Sequence, residues 1–186
     1  MKKLLITALT LLLFTVSQAQ TEKPTPTWEV EVDPIAFFLK GYSAHVIYQP
    51  NRVRLDVGIF GVQQPESFHG NKGCKLMTHG YGIKASYLLQ GTKGFYTGIG
   101  TGYTSNKATH KESGVEETGK TIGIGTHIGY RFFFQKDQDG TPKGLYITPW
   151  ISLDYNIHTD KIKFEGKEFQ QDKFGVFPTV HVGYRF

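Results

Sequence analysis

Glu66, Ser67, His69 and His79 lie within or beside the stretch 63–77 and carry the groups that hydrolysis needs: an acid, a hydroxyl and imidazole bases. Their neighbours Pro65, Gly70, Asn71 and Gly73 are loop formers, and loops collect polar residues simply because they are solvated. The order of these groups matches no known lipase or deacylase triad, so no catalytic residue is assigned. His45, His127 and His181, with Glu29, Glu31 and Asp33, form a second constellation, since imidazole and carboxylate are common metal ligands. They come from separate segments and lack diagnostic ligand spacing. An interior network of hydrogen bonds and ion pairs with Arg52, Arg54, Asp56, Lys84, Arg131, Asp154 and Arg185 accounts for the same residues, and it is the expected reading. Neither a metal nor a cofactor is expected.

Gly98-Ile99-Gly100-Thr101-Gly102 and Gly123-Ile124-Gly125 superficially suggest nucleotide-binding glycines. Such a fingerprint must open a helix inside a βαβ unit, whereas these glycines alternate with Ile and Thr as strand residues do. They read as small residues on the inner face of a tightly curved sheet.

The elements that must hold these residues are strands. Gly, Tyr, Phe, Val, Ile and Thr dominate the composition, and Met is scarce. Alternating segments fall at 28–38, 42–49, 52–62, 78–89, 95–104, 120–134, 145–158 and 173–186. Counting back from the C-terminus, Phe186, Tyr184, Val182, Val180, Pro178, Val176 and Phe174 share one face, opposite Arg185, Gly183, His181, Thr179, Phe177 and Gly175. Leu145, Ile147, Pro149, Ile151 and Leu153 repeat the pattern against Tyr146, Thr148, Trp150, Ser152 and Asp154, as do Val53, Leu55, Val57 and Ile59 against Arg52, Arg54, Asp56 and Gly58. A soluble sandwich would show Lys, Glu and Thr on its polar face. Here that face carries glycine and single Arg, His and Asp residues, which suits the crowded lumen of a narrow barrel whose greasy face is outside. The sequence therefore predicts an all-β, antiparallel up-and-down transmembrane barrel of about eight strands.

The N-terminus predicts export. Met1-Lys2-Lys3, the apolar run Leu4–Val16 and Ser17-Gln18-Ala19 form a signal peptide over residues 1–19, cleaved after Ala19. The run is too short for a membrane anchor, which needs about 20 apolar residues. Residues 20–27, with Pro24 and Pro26, read as a periplasmic tether, and 28–186 as the barrel. The chain carries 21 basic and 16 acidic residues, and two of the lysines leave with the leader. That scattered excess does not point to nucleic acid. Cys74 is the only cysteine, which rules out an intrachain disulfide.

Turns at 49–51, 90–94 and 135–144 are expected to be short or moderate and periplasmic, with both termini. The longer connections 63–77, 105–119 and 159–172 are expected outside, together with a brief one at 39–41. Within the last long loop, Lys161 to Phe169 continues the alternation and turns at Glu165-Gly166-Lys167, a hairpin offering an edge to a partner. Trp28, Tyr48, Tyr87, Phe95, Tyr130, Phe132, Tyr184 and Phe186 would form an aromatic girdle at the strand ends.

The closing run Val180-His181-Val182-Gly183-Tyr184-Arg185-Phe186 resembles the C-terminal assembly signal of small outer-membrane β-barrel proteins of Gram-negative bacteria. The resemblance, extending from about Trp28 to Phe186, implies residence in the outer membrane among its lipids. It also implies that Val180, Val182, Tyr184 and Phe186 are read by the barrel-assembly machinery. Members of that family range from structural anchors to adhesins and lipid-modifying enzymes, so resemblance alone does not deliver an activity. The expected role is structural or surface-interacting, with any surface partner at 63–77, 105–119 and 159–172. An outer-leaflet deacylase or acyltransferase and a narrow conduit are the alternatives.

Overall fold

Alternating branched and aromatic residues give the chain its strands, and the glycines opposite them let the sheet curl until its edges meet. The computed structural model describes residues 25–164 and 167–186. Residues 1–24, which take in the expected leader and most of the expected tether, and Glu165-Gly166 lie outside the described residues. The strands are β1 (Thr27–Val32), β2 (Tyr42–Gln49), β3 (Val53–Gln64), β4 (Cys74–Gln90), β5 (Lys93–His110), β6 (Glu116–Lys136) and β7 (Pro142–Thr159), then the two-residue β8 (Lys163–Phe164) and β9 (Lys167–Glu168), and finally β10 (Phe174–Arg185). Two short helices, α1 (Pro34–Phe38) and α2 (Glu66–His69), lie in the connections after β1 and β3. The eight long strands close antiparallel in the order β1-β10-β7-β6-β5-β4-β3-β2, sealed by Glu29↔Arg185 through Val32↔Val182. Among the described residues, no helix is long and apolar enough to cross a membrane.

The distribution of side chains is inverted relative to a water-soluble domain. Val57, Ile59, Ile83, Ile99, Leu153 and Ile157 are all more than half exposed on the outer face, whereas Glu29, Arg54, Asp56, Arg131, His181 and Arg185 are buried inside. Aromatic pairs collect at the short-turn end: Trp28 with Tyr48 at 4.9 Å, Phe95 with Tyr130 at 4.7 Å, and Tyr184 with Phe186 at 5.2 Å. A tilted membrane strand needs only about 9–11 residues, and β4 to β7, at 17, 18, 21 and 18 residues, are far longer than such a span requires.

That extension corrects the expected loop at 105–119. The ladder continues from Ser105↔Lys120 to Thr109↔Glu116, leaving only a tight connection at 111–115. The segment is mostly polar on both faces, so it lacks the alternation that marks a strand with one apolar face. Pairing inherited from the rungs below holds it extended. A second correction falls at 28–38, where the strand stops at Val32. Pro34 has no N–H to donate, and the Asp33 carboxylate accepts from the Ile35 N–H at 2.8 Å, capping helix α1. Beyond the helix Gly41 is obligatory, because a methyl group there would sit 1.8 Å from the Gly61 carbonyl oxygen.

The expected free-standing hairpin folds inward instead. Lys163↔Glu168 and Phe164↔Lys167 pair as β8 and β9. Ile162, Phe164 and Phe169 bury themselves against Cys74, Leu76 and Ala108, making a small hydrophobic core over the mouth. Cys74 is therefore covered, and burial pushes its thiol pKa up.

Candidate functional site

Closure of the barrel brings inward residues from distant strands into stacked tiers. The lowest is centred on Glu29 of β1, which accepts from Arg131 at 2.5 Å and from Arg185 at 2.7 Å. Gln49 accepts from the same two guanidiniums at 2.7 and 2.9 Å, and Arg185 also reaches the carbonyls of Thr92 and Pro142. Phe133 lies under both arginines, with its ring centroid 4.9 Å from Arg131 and 4.5 Å from Arg185. These groups are almost wholly buried, and together they stop the lumen at its short-turn end.

The next tier holds Glu31, Arg54, His181, His45, Asp56 and Lys84. Arg54 bridges the first two tiers, donating to Glu31 and lying 3.5 Å from Glu29. The Tyr146 hydroxyl stands between the same two carboxylates, at 2.7 and 2.9 Å. His181 Nδ1 is 2.9 Å from Glu31, and His45 Nδ1 is 2.9 Å from Asp56. Lys84 Nζ lies 3.0 Å from the other Asp56 oxygen, an ion-pair contact set at an angle unsuited to a hydrogen bond. Lys84 also covers the Trp150 ring at 4.5 Å. Beside this tier Ser86 Oγ and His127 Nε2 are 2.8 Å apart, and Asp33 accepts from Thr179 at 2.8 Å.

Of the polar residues singled out from the sequence, Glu29, Glu31, Arg54, Asp56, Arg131, His181 and Arg185 are buried in these tiers, and His45 and Lys84 join them through Asp56. His127 sits apart from the carboxylates, against Ser86. Asp154 is half-buried higher up and accepts from Ser152 at 2.5 Å. Arg52 is placed elsewhere: it precedes the first residue of β3, in the turn, where its carbonyl accepts from Leu88. Sequence reasoning passed over Gln49, Ser86, Tyr146 and Trp150. The inward parity of Tyr146 and Trp150 was legible, but which charges they would meet depended on register. Val180, Tyr184 and Phe186 project outward and exposed, with Val182 half-buried beside them.

The outer polar residues do not converge. Glu66 pairs with Lys111, whose hydrogen bond holds the Glu66 carboxyl below its usual pKa. His69 Nδ1 accepts from the Asn71 N–H at 3.2 Å, and burial lowers the pKa of its imidazole. His79 faces outward with the Tyr42 hydroxyl, 3.2 Å away. Among the described residues no hydrogen bond joins Ser67 to either histidine, and no group of three or more His, Cys, Asp or Glu is arranged to hold a metal ion.

A closed eight-stranded antiparallel barrel with a charged, plugged lumen and an apolar outer belt defines the class of architecture. No family model matches the chain, and no curated protein sequence does. Among solved structures it is similar to a major outer membrane protein from Thermus thermophilus, with a TM-score of 0.56 and 10% identity, covering 88% of this chain and 100% of that one. At that identity the likeness is one of fold.

Proposed function

We propose that the protein is an integral outer-membrane barrel with a structural or surface-interaction role. The observation that carries this reading is the inverted wall, with apolar side chains exposed over the outside and ion pairs enclosed within. In water such a wall would drive aggregation, whereas hydrocarbon solvates it. Likeness in fold to the Thermus outer membrane protein supports the same reading. The Glu29–Arg131–Arg185 tier is almost wholly buried across the short-turn end of the lumen, which argues against a conduit. What rises above the bilayer is a rigid wall capped by β8 and β9, suited to presenting a surface to a partner.

The mature protein is expected to fractionate with the outer membrane, resist carbonate extraction, and run differently on gels before and after boiling. Recovery as a soluble periplasmic protein would overturn the reading. Purified barrels are expected to give no steady conductance in planar bilayers. Removal of Phe186 is expected to leave the chain unassembled in the periplasm, as it takes away the terminal aromatic of the run that the assembly machinery reads.

A further inference from the structure

The barrel wall is a complete sheet only in its lower half. Strand β1 ends at Val32, so its ladder with β10 stops at Val32↔Val182, while β10 stays paired with β7 up to Phe174↔Tyr155. From Phe174 to His181, β10 has a strand neighbour on one side only. The hydrogen bonds beyond its two ends fix which groups face the bare side. Asn156 N–H donates to the Lys173 carbonyl at 2.8 Å, and Phe186 N–H to the Trp28 carbonyl at 3.0 Å. By antiparallel alternation the odd residues of β10 turn to β7 and the even ones to the seam. Pro178 therefore aims into the seam a nitrogen that carries no hydrogen. An N–H there would face hydrocarbon unpaired.

Helix α1 stands where β1 would have continued. The Asp33–Thr179 hydrogen bond fastens it to β10, and the Gln63 N–H, donating to the Leu39 carbonyl at 2.9 Å, fastens its far end to β3. Ile35, Phe37 and Phe38 are exposed on its outer side. A shallow apolar groove of about 610 Å³ runs along the wall beside it, lined by Ile35, Ile128, Pro149, Ile151, Pro178 and Val180.

Behind the seam the lumen carries few large side chains. The ion-pair tier below is closed on itself. Above, Gln64, Thr78, Asn106 and Thr121 bond to one another in a chain of 3.0, 2.8 and 3.1 Å contacts. Between these layers glycine predominates in the walls, with Asp154 lying over Gly125, Asn156 over Gly123 and Phe60 over Gly80. A methyl group added at Gly82 or Gly102 would touch only backbone of the adjoining strand, and at Gly175 it would meet nothing within 4 Å. Phe177 and Trp150 turn into this space with ring centroids 6.1 Å apart, and Phe177 is 44% exposed although it faces the lumen. The carboxylate of Asp154 is turned onto Ser152.

We infer that this chamber takes a single alkyl chain, admitted sideways from the outer leaflet through the seam between α1 and β10. The walls offer the Phe177 and Trp150 rings and glycine backbone beside Asp154 and Asn156, and the polar layers above and below are each bonded within themselves. The inference rests on the membrane reading proposed above. The chain can belong to a membrane lipid or to a free fatty acid.

Trp28 and Trp150 are the only tryptophans, and only Trp150 faces the lumen. Trp28→Phe protein is placed in phosphatidylcholine vesicles whose acyl chains are brominated, or in unbrominated vesicles to which a brominated fatty acid is added. Quenching of Trp150 by the first probe identifies a lipid chain as the occupant, and quenching only by the second identifies the free acid. In either case Gly175→Phe, or Gly102→Leu if that variant fails to fold, is expected to abolish the quenching by filling the space. Quenching that survives both substitutions comes through the wall and overturns the inference. Quenching by aqueous acrylamide alone also overturns it, since the chamber would then hold water. Trp150→Phe protein, which reports Trp28 on the lipid face, is the control: Trp28 unquenched by brominated lipid sinks the membrane reading itself, whereas Trp28 quenched and Trp150 silent sinks only the chamber.

Discussion

Glu29→Gln isolates the electrostatic work of the lumen, because the amide keeps the shape of the carboxylate and removes only its charge. Within the two lower tiers Glu29, Glu31 and Asp56 face Arg54, Lys84, Arg131 and Arg185, an excess of one cation with the histidines left aside. The substitution raises that excess to two. Arg185 keeps acceptors in Gln49, Thr92 and Pro142, and Arg131 keeps Gln49, so most hydrogen bonds survive while compensation of charge does not. A unit pair about 4 Å apart is worth about 4 kcal/mol at an effective dielectric constant near 20, so the two closest pairs lose about 8 kcal/mol gross. Relief from burying the carboxylate returns several kcal/mol of this, leaving a net cost of about 3–5 kcal/mol. The assay is urea unfolding in detergent micelles or liposomes, read from the folded band on unboiled gels. Adding Arg185→Met to Glu29→Gln is expected to recover part of the loss, since it removes the cation left unpaired. A cost for Glu29→Gln below about 1 kcal/mol, the value of a solvated pair, would refute the reasoning and mean that water reaches the tier.

Four further outcomes follow from the same geometry. Val180→Arg and Ile151→Arg place a cation on the lipid face and are expected to cost about 2–4 kcal/mol each in unfolding measurements; harmless substitutions there would mean that the wall is not lipid-facing. His127→Gln and His181→Gln are expected to cost about 1–3 kcal/mol through a buried partner left unmet, Ser86 or Glu31, without selective loss of any function. Asp33→Ala removes both the cap of α1 and the tie to Thr179, and a loss of about 0.5–2 kcal/mol is expected for the cap alone. Cys74 on intact cells is expected to react slowly with an impermeant thiol reagent, and quickly once Phe164→Ala opens the core over it; equal rates would mean that β8 and β9 do not cover the mouth.

The two-residue period was local information, and the sequence determined what depends on it. Val180, Ile151 and Val57 outside, with His181, Ser152 and Asp56 inside, follow from counting along a strand, because successive side chains on extended backbone must point to opposite faces. The same counting failed where another force set the backbone. Residues 34–38 read as a continuation of strand β1, yet Asp33 and Pro34 start a helix, a capping signal that the apolar run masked. Residues 105–110 and 116–119 are extended because neighbouring rungs hold them, and their own side chains give no sign of it. Arg52 has inward parity but precedes the first rung of β3, so parity had no strand to act on. Only the tertiary structure decided which charges meet. Glu29 and Arg131 are 102 positions apart, and their 2.5 Å contact exists because ring closure and register set the two strands' inward residues across one lumen. The covering of Cys74 and the seam beside Pro178 have the same origin, since each depends on where one strand ends relative to a neighbour far away in the chain.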